Sequence, residues 1–269
     1  MYSYCKGPYS YYGFRDTRDI ENINERAVEC VKVEKVTGIV LAGGQGKRMA
    51  SHIHKQYLKI EDHPIIVYTL MTFSRCNEID EIILVVPKGE VDYNKKIINT
   101  YDLKKISKIV EGGEERYHSV YNALEHIKDD PNHYVLIHDG VRPFTTEKSI
   151  RTLINEMKKN KASILGVPVK DTIKKVDASH QVTSSEDRKE LYAIQTPQGF
   201  RADIIKKAYR AFIKQSKKNI TDDAMVVEQY TNETVKVIQG EYSNIKITTP
   251  EDLIIGEAIL NNLVKKQIK

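Results

Sequence analysis

Cysteine is scarce and unpatterned: Cys5, Cys30 and Cys76 are odd in number and show neither metal-ligand spacing nor a disulfide framework. A stapled secreted scaffold is therefore excluded, and a reducing, cytoplasmic setting is expected. No apolar run approaches ~18 residues, and the start, Met1 to Tyr9, lacks the basic residues and apolar stretch of a signal peptide. Membrane spanning and export are not expected. Like charges never gather in runs of five or more, and 42 basic against 37 acidic residues leave a net charge of +5. Nucleic acid is thus not the expected partner, while a mild positive balance fits small anionic substrates and an ordinary solvated surface equally well. Internal repeats are also missing.

The 269 residues, 40% hydrophobic and 29% charged, suit one large α/β core. Residues 1–36 stand apart, tyrosine-rich and then charged without periodicity, and read as an N-terminal extension. Three readings of it stay open: a poorly ordered tail, a cover or partner contact, or a stretch upstream of the true translation start. The recognisable domain, 37–269, begins with Gly38-Ile39-Val40-Leu41-Ala42, a buried strand; Ile82 to Val86 and Tyr134 to His138 read as two more. Burial on both faces predicts a mainly parallel, Rossmann-like sheet flanked by helices. Val120, Ala123, Leu124 and Ile127 supply a helical stripe, and Thr249-Pro250-Glu251-Asp252 opens a closing helix that runs to about Leu263. Between Lys170 and Gln195 the rhythm breaks into alternating residues around a polar turn, which predicts a protruding β-hairpin arm. Such an arm is marginal alone and would be stabilised by packing on a second copy, so a homodimer is expected.

The first strand runs into Ala42-Gly43-Gly44-Gln45-Gly46-Lys47-Arg48-Met49. Glycines there let backbone N–H groups approach an anion. A Walker A loop would need Ser or Thr after Gly46-Lys47 and a glycine at Leu41, and a dinucleotide fingerprint would need a small residue at Met49. Both fail, and a dehydrogenase is disfavoured. With Lys55-Gln56-Tyr57-Leu58 following, the pattern resembles the signature of sugar-phosphate nucleotidyltransferases.

Further blocks extend the likeness across nearly all of 37–260: Glu111-Gly112-Gly113-Glu114-Glu115-Arg116 with Ser119, His138-Asp139-Gly140-Val141-Arg142-Pro143, Pro168 to Thr172, Gln195-Thr196-Pro197-Gln198, Thr221-Asp222-Asp223, and Asn244 to Leu253. Together they resemble the 2-C-methyl-D-erythritol 4-phosphate cytidylyltransferase family, with ribitol 5-phosphate cytidylyltransferases as close relatives. On its own terms Asp139, just past a buried strand, suits Mg²⁺, which needs only one or two protein oxygens beside substrate phosphates; a turn aspartate is the bland alternative. His138 is expected to be structural. Gly112 and Gly113 allow close approach of a base and ribose, with Ser119 as a hydrogen-bonding partner.

The resemblance implies CTP and a polyol phosphate as substrates and Mg²⁺ as cofactor. It also implies Arg48, Lys55 and Lys246 as catalytic cations, and nucleotide contacts from Ala42, Gly43, Gly44, Gly46, Gly112, Gly113, Ser119 and Asp139. For the acceptor it implies Arg142, Asp171, Thr172, Arg188, Thr196 and Thr221, with Thr172 and Arg188 reaching in from a partner subunit. Two positions depart from the family pattern: His54 replaces the usual proline, and Gly43 replaces the usual alanine, as in many ribitol enzymes. Val167 to Lys174 and Thr221-Asp222-Asp223 look more like the methylerythritol enzymes, the favoured reading. A nucleotide-binding regulator without catalysis is the alternative of another class.

Overall fold

A computed structural model describes residues 34–44, 54–215 and 219–267, all within the unit Glu34–Lys269. The extension, apart from its last residues, lies outside the described residues. The strands are β1 (Lys35–Leu41), β2 (Lys59–Ile60), β3 (His63–Pro64), β4 (Glu81–Val86), β5 (Ile106–Glu111), β6 (His133–Asp139), β7 (Ala162–Pro168), β8 (Lys174–Val176), β9 (Val182–Ser185), β10 (Tyr192–Arg201) and β11 (Lys236–Gln239). The helices are α1 (Ile65–Arg75), α2 (Val91–Thr100), α3 (Arg116–Leu124), α4 (Glu147–Asn160), α5 (Ala202–Ile213), α6 (Asp223–Tyr230) and α7 (Pro250–Gln267).

Seven strands form one sheet in the order β11-β7-β10-β6-β1-β4-β5. All neighbours run parallel except β10, which is antiparallel to both β6 and β7. The three strands expected from sequence are β1, β4 and β6, and their apolar runs are buried on both sides. Along β4, Ile82, Leu84 and Val86 point to one cluster while Ile83 and Val85 point to the other. The first face is covered by α1, α2 and α4 through Leu70, Ile97 and Leu153; the second by α3, α5 and α6 through Val120, Tyr209 and Val227. A third cluster seats α7 through Leu253 and Leu260 against Ile60, Phe144 and Ile247. At the start of α7 the Asp252 carboxylate accepts the Thr248 and Thr249 N–H groups, so an acidic side chain closes the helix from within its first turn.

The chain leaves β1 toward β4 and β5 on one side, then returns to β6 on the other. The strand order thus reverses between β1 and β6, and their carboxyl ends open the crevice in which such sheets bind ligands.

The hairpin arm is present: β8 pairs antiparallel with β9, matching Lys174 with Ser185, and its residues are exposed. Its outer limit differs from the expectation. Tyr192, Ala193 and Ile194 pair with Pro168, Val167 and Gly166 and so begin β10 inside the main sheet. A short apolar run reads the same in an arm as in a sheet, and only the distant partner β7 decides between them.

Candidate active site

The site forms where β1, β4 and β6 end. Ala42 N–H donates to the Val85 carbonyl at 2.7 Å, which ties the glycine-rich segment to β4. The Ala42 carbonyl accepts the Gln56 side-chain amide at 2.6 Å, and Gln56 is buried. The two halves of the signature, fourteen residues apart, are therefore joined directly. Lys55 opens a three-residue 3₁₀ turn, Lys55–Tyr57, at the cavity wall. Gly46 and Arg48 lie outside the described residues.

Alongside, Gly112 N–H donates to the Val86 carbonyl at 2.8 Å and Gly113 N–H to the Ser119 hydroxyl at 3.1 Å. The hydroxyl donates onward to the Glu115 carbonyl at 3.3 Å. A Cβ at Gly113 would lie 2.4 Å from the His118 Cβ, so only glycine fits there. At Gly43 a Cβ would meet nothing closer than the Ser119 hydroxyl at 3.6 Å, an ordinary contact.

These loops and the end of β6 enclose a cavity of about 510 Å³. Of the residues expected from sequence, it brings together Ala42, Gly43, Gly44, Lys55, Gly113, Ser119, Asp139 and Lys246. Gly112 sits one residue behind the wall. At the centre, the Asp139 carboxylate meets Lys246 Nζ at 2.8 Å and Arg116 Nε at 3.2 Å, with Arg142 Nε at 3.7 Å. Burial works against ionisation, but Arg116, Lys246 and Arg142 outweigh it and hold the carboxyl well below the usual carboxylate range.

Arg116, which the sequence reading left without a role, lines the cavity. Its guanidinium grips Asp223 with both arms, at 2.9 and 2.7 Å. Asp223 is 0% exposed and also accepts the Tyr209 hydroxyl at 2.6 Å. Gln198 receives the Asp223 and Ala224 N–H groups on its oxygen and donates to Asp222, so the Thr221-Asp222-Asp223 block is a bracket for Arg116.

Behind Asp139, His138 is fully buried. The Asp139 N–H donates to Thr196 Oγ1 at 3.0 Å, the Thr196 hydroxyl lies 3.1 Å from His138 Nδ1, and His138 Nε2 lies 3.2 Å from the Arg142 carbonyl. The carbonyl can only accept, so the ring carries its proton on Nε2 and takes the Thr196 proton at Nδ1. Burial pushes this histidine down to about 4, consistent with that neutral form. Thr196 thus orders the backbone at Asp139 from behind the cavity. Arg142 joins it there, with NH1 donating to the Asn244 carbonyl at 2.8 Å and so tethering the loop that carries Lys246.

Asp171, Thr172 and Arg188 stand exposed on or beside the arm, away from this chain's own cavity wall, and Arg188 donates to the Lys170 carbonyl at 3.2 Å. Thr221 is exposed near Met225. Among the described residues no group of three or more His, Cys, Asp or Glu side chains could form a protein-only metal cage. One ionised carboxylate lining a cavity of nucleotide size fits Mg²⁺, an ion that takes most of its ligands from phosphates and water. No helix among the described residues is long and apolar enough to cross a membrane.

Comparison with known proteins gives one answer at three levels. The family profile of IspD, 2-C-methyl-D-erythritol 4-phosphate cytidylyltransferase, matches residues 36–262. Curated relatives of that name from Lachnoclostridium phytofermentans and Alkaliphilus metalliredigens are 48% and 49% identical, covering 85% and 84% of this chain and 97% and 93% of their own. A solved structure, the 4-diphosphocytidyl-2C-methyl-D-erythritol synthase of Anaerococcus prevotii, superposes with a TM-score of 0.75 at 39% identity, covering 85% of this chain and 96% of that one. The cytidylyltransferase of Francisella tularensis follows at 0.68 and 29%, over 84% and 99%. With its glycine-rich wall, its lysine turn and its aspartate placed at the sheet's reversal point, the chain belongs to the 2-C-methyl-D-erythritol 4-phosphate cytidylyltransferase family.

Proposed function

We propose that this enzyme transfers the cytidylyl group of CTP to 2-C-methyl-D-erythritol 4-phosphate, releasing pyrophosphate, in the non-mevalonate route to isoprenoid precursors. The carrying observation is the convergence of Lys55, Arg116 and Lys246 with ionised Asp139 on one cavity of nucleotide size. A phosphate oxygen of the acceptor forms the new bond to the α-phosphorus, and the bond to the β-phosphate breaks with its electron pair leaving on pyrophosphate. A phosphate monoester is largely ionised at neutral pH, its second pKa being about 6, so no general base is needed. The barrier is charge build-up between anions, and preorganised cations lower it. Lys55 and Lys246 supply them from the cavity lining, Arg48 is assigned the same role on family resemblance, and the Gly113 and Ser119 wall receives the base and ribose. Bound Mg²⁺, held by Asp139, would neutralise phosphate charge. The arm's exposed Ile173, Val176 and Val182 favour a dimer, in which Thr172 and Arg188 serve the acceptor in the partner's cavity. Incubating the protein with CTP, Mg²⁺ and either methylerythritol phosphate or ribitol phosphate tests the reading. A cytidine diphosphate product with the first and none with the second is expected; product only with ribitol phosphate, or no pyrophosphate from either, would overturn it.

A further inference from the structure

The turn that presents Lys55 is held by two residues that stand apart from the cavity wall. Within the 3₁₀ turn Tyr57 N–H donates to the His54 carbonyl at 2.9 Å and Leu58 N–H to the Lys55 carbonyl at 3.2 Å. Such a short piece is a weak base for a long, rotatable lysine. Further fixation comes from outside. Gln56 binds the glycine-rich segment, as described. The Tyr57 hydroxyl accepts the Asn94 amide of α2 at 2.7 Å, and the same amide group donates to the Glu90 carbonyl at 2.9 Å. His54 Nε2 meets the Glu90 carboxylate at 3.0 Å. Burial first, and then the nearby negative charge of Glu90, push the Tyr57 hydroxyl well above the usual phenol range. The Glu90 carboxylate is therefore paired with the turn at residue 54, and its charge is felt at residue 57.

Glu90 belongs to the connection between β4 and α2, and that connection is braced on its other side. Glu90 N–H donates to the Pro87 carbonyl at 3.1 Å, Gly89 N–H donates to Glu111 Oε1 at 2.8 Å, and Val86 receives the Gly112 N–H. The same few residues thus hold both the lysine turn and the Gly112-Gly113 loop.

We propose that His54 and Glu90 are a positioning pair for nucleotidyl transfer, locking the Lys55 turn to the β4–α2 connection so that the ammonium group stands at a fixed distance from the Gly112-Gly113 wall. The proposal rests on the reading of Lys55 as a transition-state cation. Neither residue lines the cavity. Their side chains are 32% and 26% exposed, so truncating them removes a tether without opening the core. Because triphosphate binding is spread over many backbone groups while the transition state needs one ammonium in one place, the loss belongs in kcat rather than in KM for CTP.

The test is steady-state kinetics on His54→Ala, Glu90→Ala, the double variant, His54→Gln and Lys55→Met, each checked by thermal melting. A misplacement of about 1 Å can cost on the order of 10²-fold; with Gln56 and Asn94 still holding, each alanine variant is expected to lose about 5- to 20-fold in kcat with KM for CTP changed less than about twofold. The double variant should fall no further than the weaker single, because both remove one tether. His54→Gln, which restores a donor toward Glu90, should recover most of the loss. Native kcat in both alanine variants, a loss confined to KM, or a double variant that multiplies the singles would each overturn the pairing. Lys55→Met separates the two readings: an active Lys55→Met removes the lysine role itself, whereas an inactive one beside native His54→Ala and Glu90→Ala removes the pair alone.

Discussion

Strand β6 carries a buried histidine near each end, and the two ends treat charge differently. At its start His133 lies 2.7 Å from Thr37 Oγ1, the Thr37 hydroxyl donates to Glu81 at 2.9 Å, and Glu81 pairs with Lys35 at 2.8 Å. Asp80 beside them accepts the Val36 N–H. Each acid there is answered locally. At the carboxyl end a single carboxylate, Asp139, is faced by Arg116, Arg142 and Lys246, and among the described residues only Arg116 has a second acid, Asp223. Glu114 and Glu115 also line the cavity, so placement rather than net charge distinguishes this end. One end is a closed structural cluster; the other holds cations around one point where an anion can enter.

The largest effect should come from the residue that serves both structure and site. Arg116→Ala leaves Asp223 buried without its countercharge, which typically costs about 3–5 kcal/mol, and it also removes a cation from the cavity. Urea unfolding should show the stability loss, and turnover should fall with it. The ion pair at the opposite end gives the contrast: Lys35 is half exposed, and Lys35→Ala should cost less than about 1 kcal/mol. Equal losses would erase the distinction between the two ends.

Lys246→Ala should separate function from folding. Asp139 keeps Arg116 and Arg142, so the melting temperature should stay close to native. Removing one preorganised donor commonly costs about 10²–10³ in rate, and kcat should fall in that range. Near-native turnover in single-turnover quench experiments would assign Lys246 to structure instead.

Legibility in the sequence followed the range of the interactions. The three central strands were readable because two-sided burial leaves a continuous apolar run, and Asp139 because it follows such a run by one residue. The glycine-rich segment and Lys55 were readable because their spacing is local. Arg116 was not, since its meaning comes from Asp223, 107 residues later, and nothing at either position marks the pairing. Gln56 was visible only as a letter in a signature; its bond to the Ala42 carbonyl gives the reason for the spacing. The arm's return strand was misplaced because pairing with β7 is a long-range event.

The acid response should sharpen the comparison further. Burial, and then nearby Lys35, hold His133 below its ordinary 6.5, so the folded chain resists the proton that the unfolded chain takes up. Its contribution to stability is present above pH 6.5 and is lost as the pH falls toward the depressed folded value. His133→Gln can still donate to Thr37 and does not titrate, so its melting temperature should decline less than that of the native chain between neutral pH and pH 5. Parallel declines would place the acid sensitivity elsewhere.

The smallest effect is expected at Gly43. Its backbone does not adopt a positive φ, and among the described residues an added Cβ would meet first the Ser119 hydroxyl, the Gly112 Cα and the Val86 carbonyl, at 3.6 to 3.8 Å. Gly43→Ala should therefore fold at least as well as the native chain, with a gain of up to about 1 kcal/mol from the restricted unfolded state. Gly113→Ala, which would place its methyl 2.4 Å from His118, should lose stability and nucleotide binding together. Because the protein itself leaves room at Gly43, kcat and KM for CTP should stay within about twofold of native. A rise in the KM for CTP alone would mean that the triphosphate or ribose packs directly on this Cα, drawing the nucleotide against the end of β1.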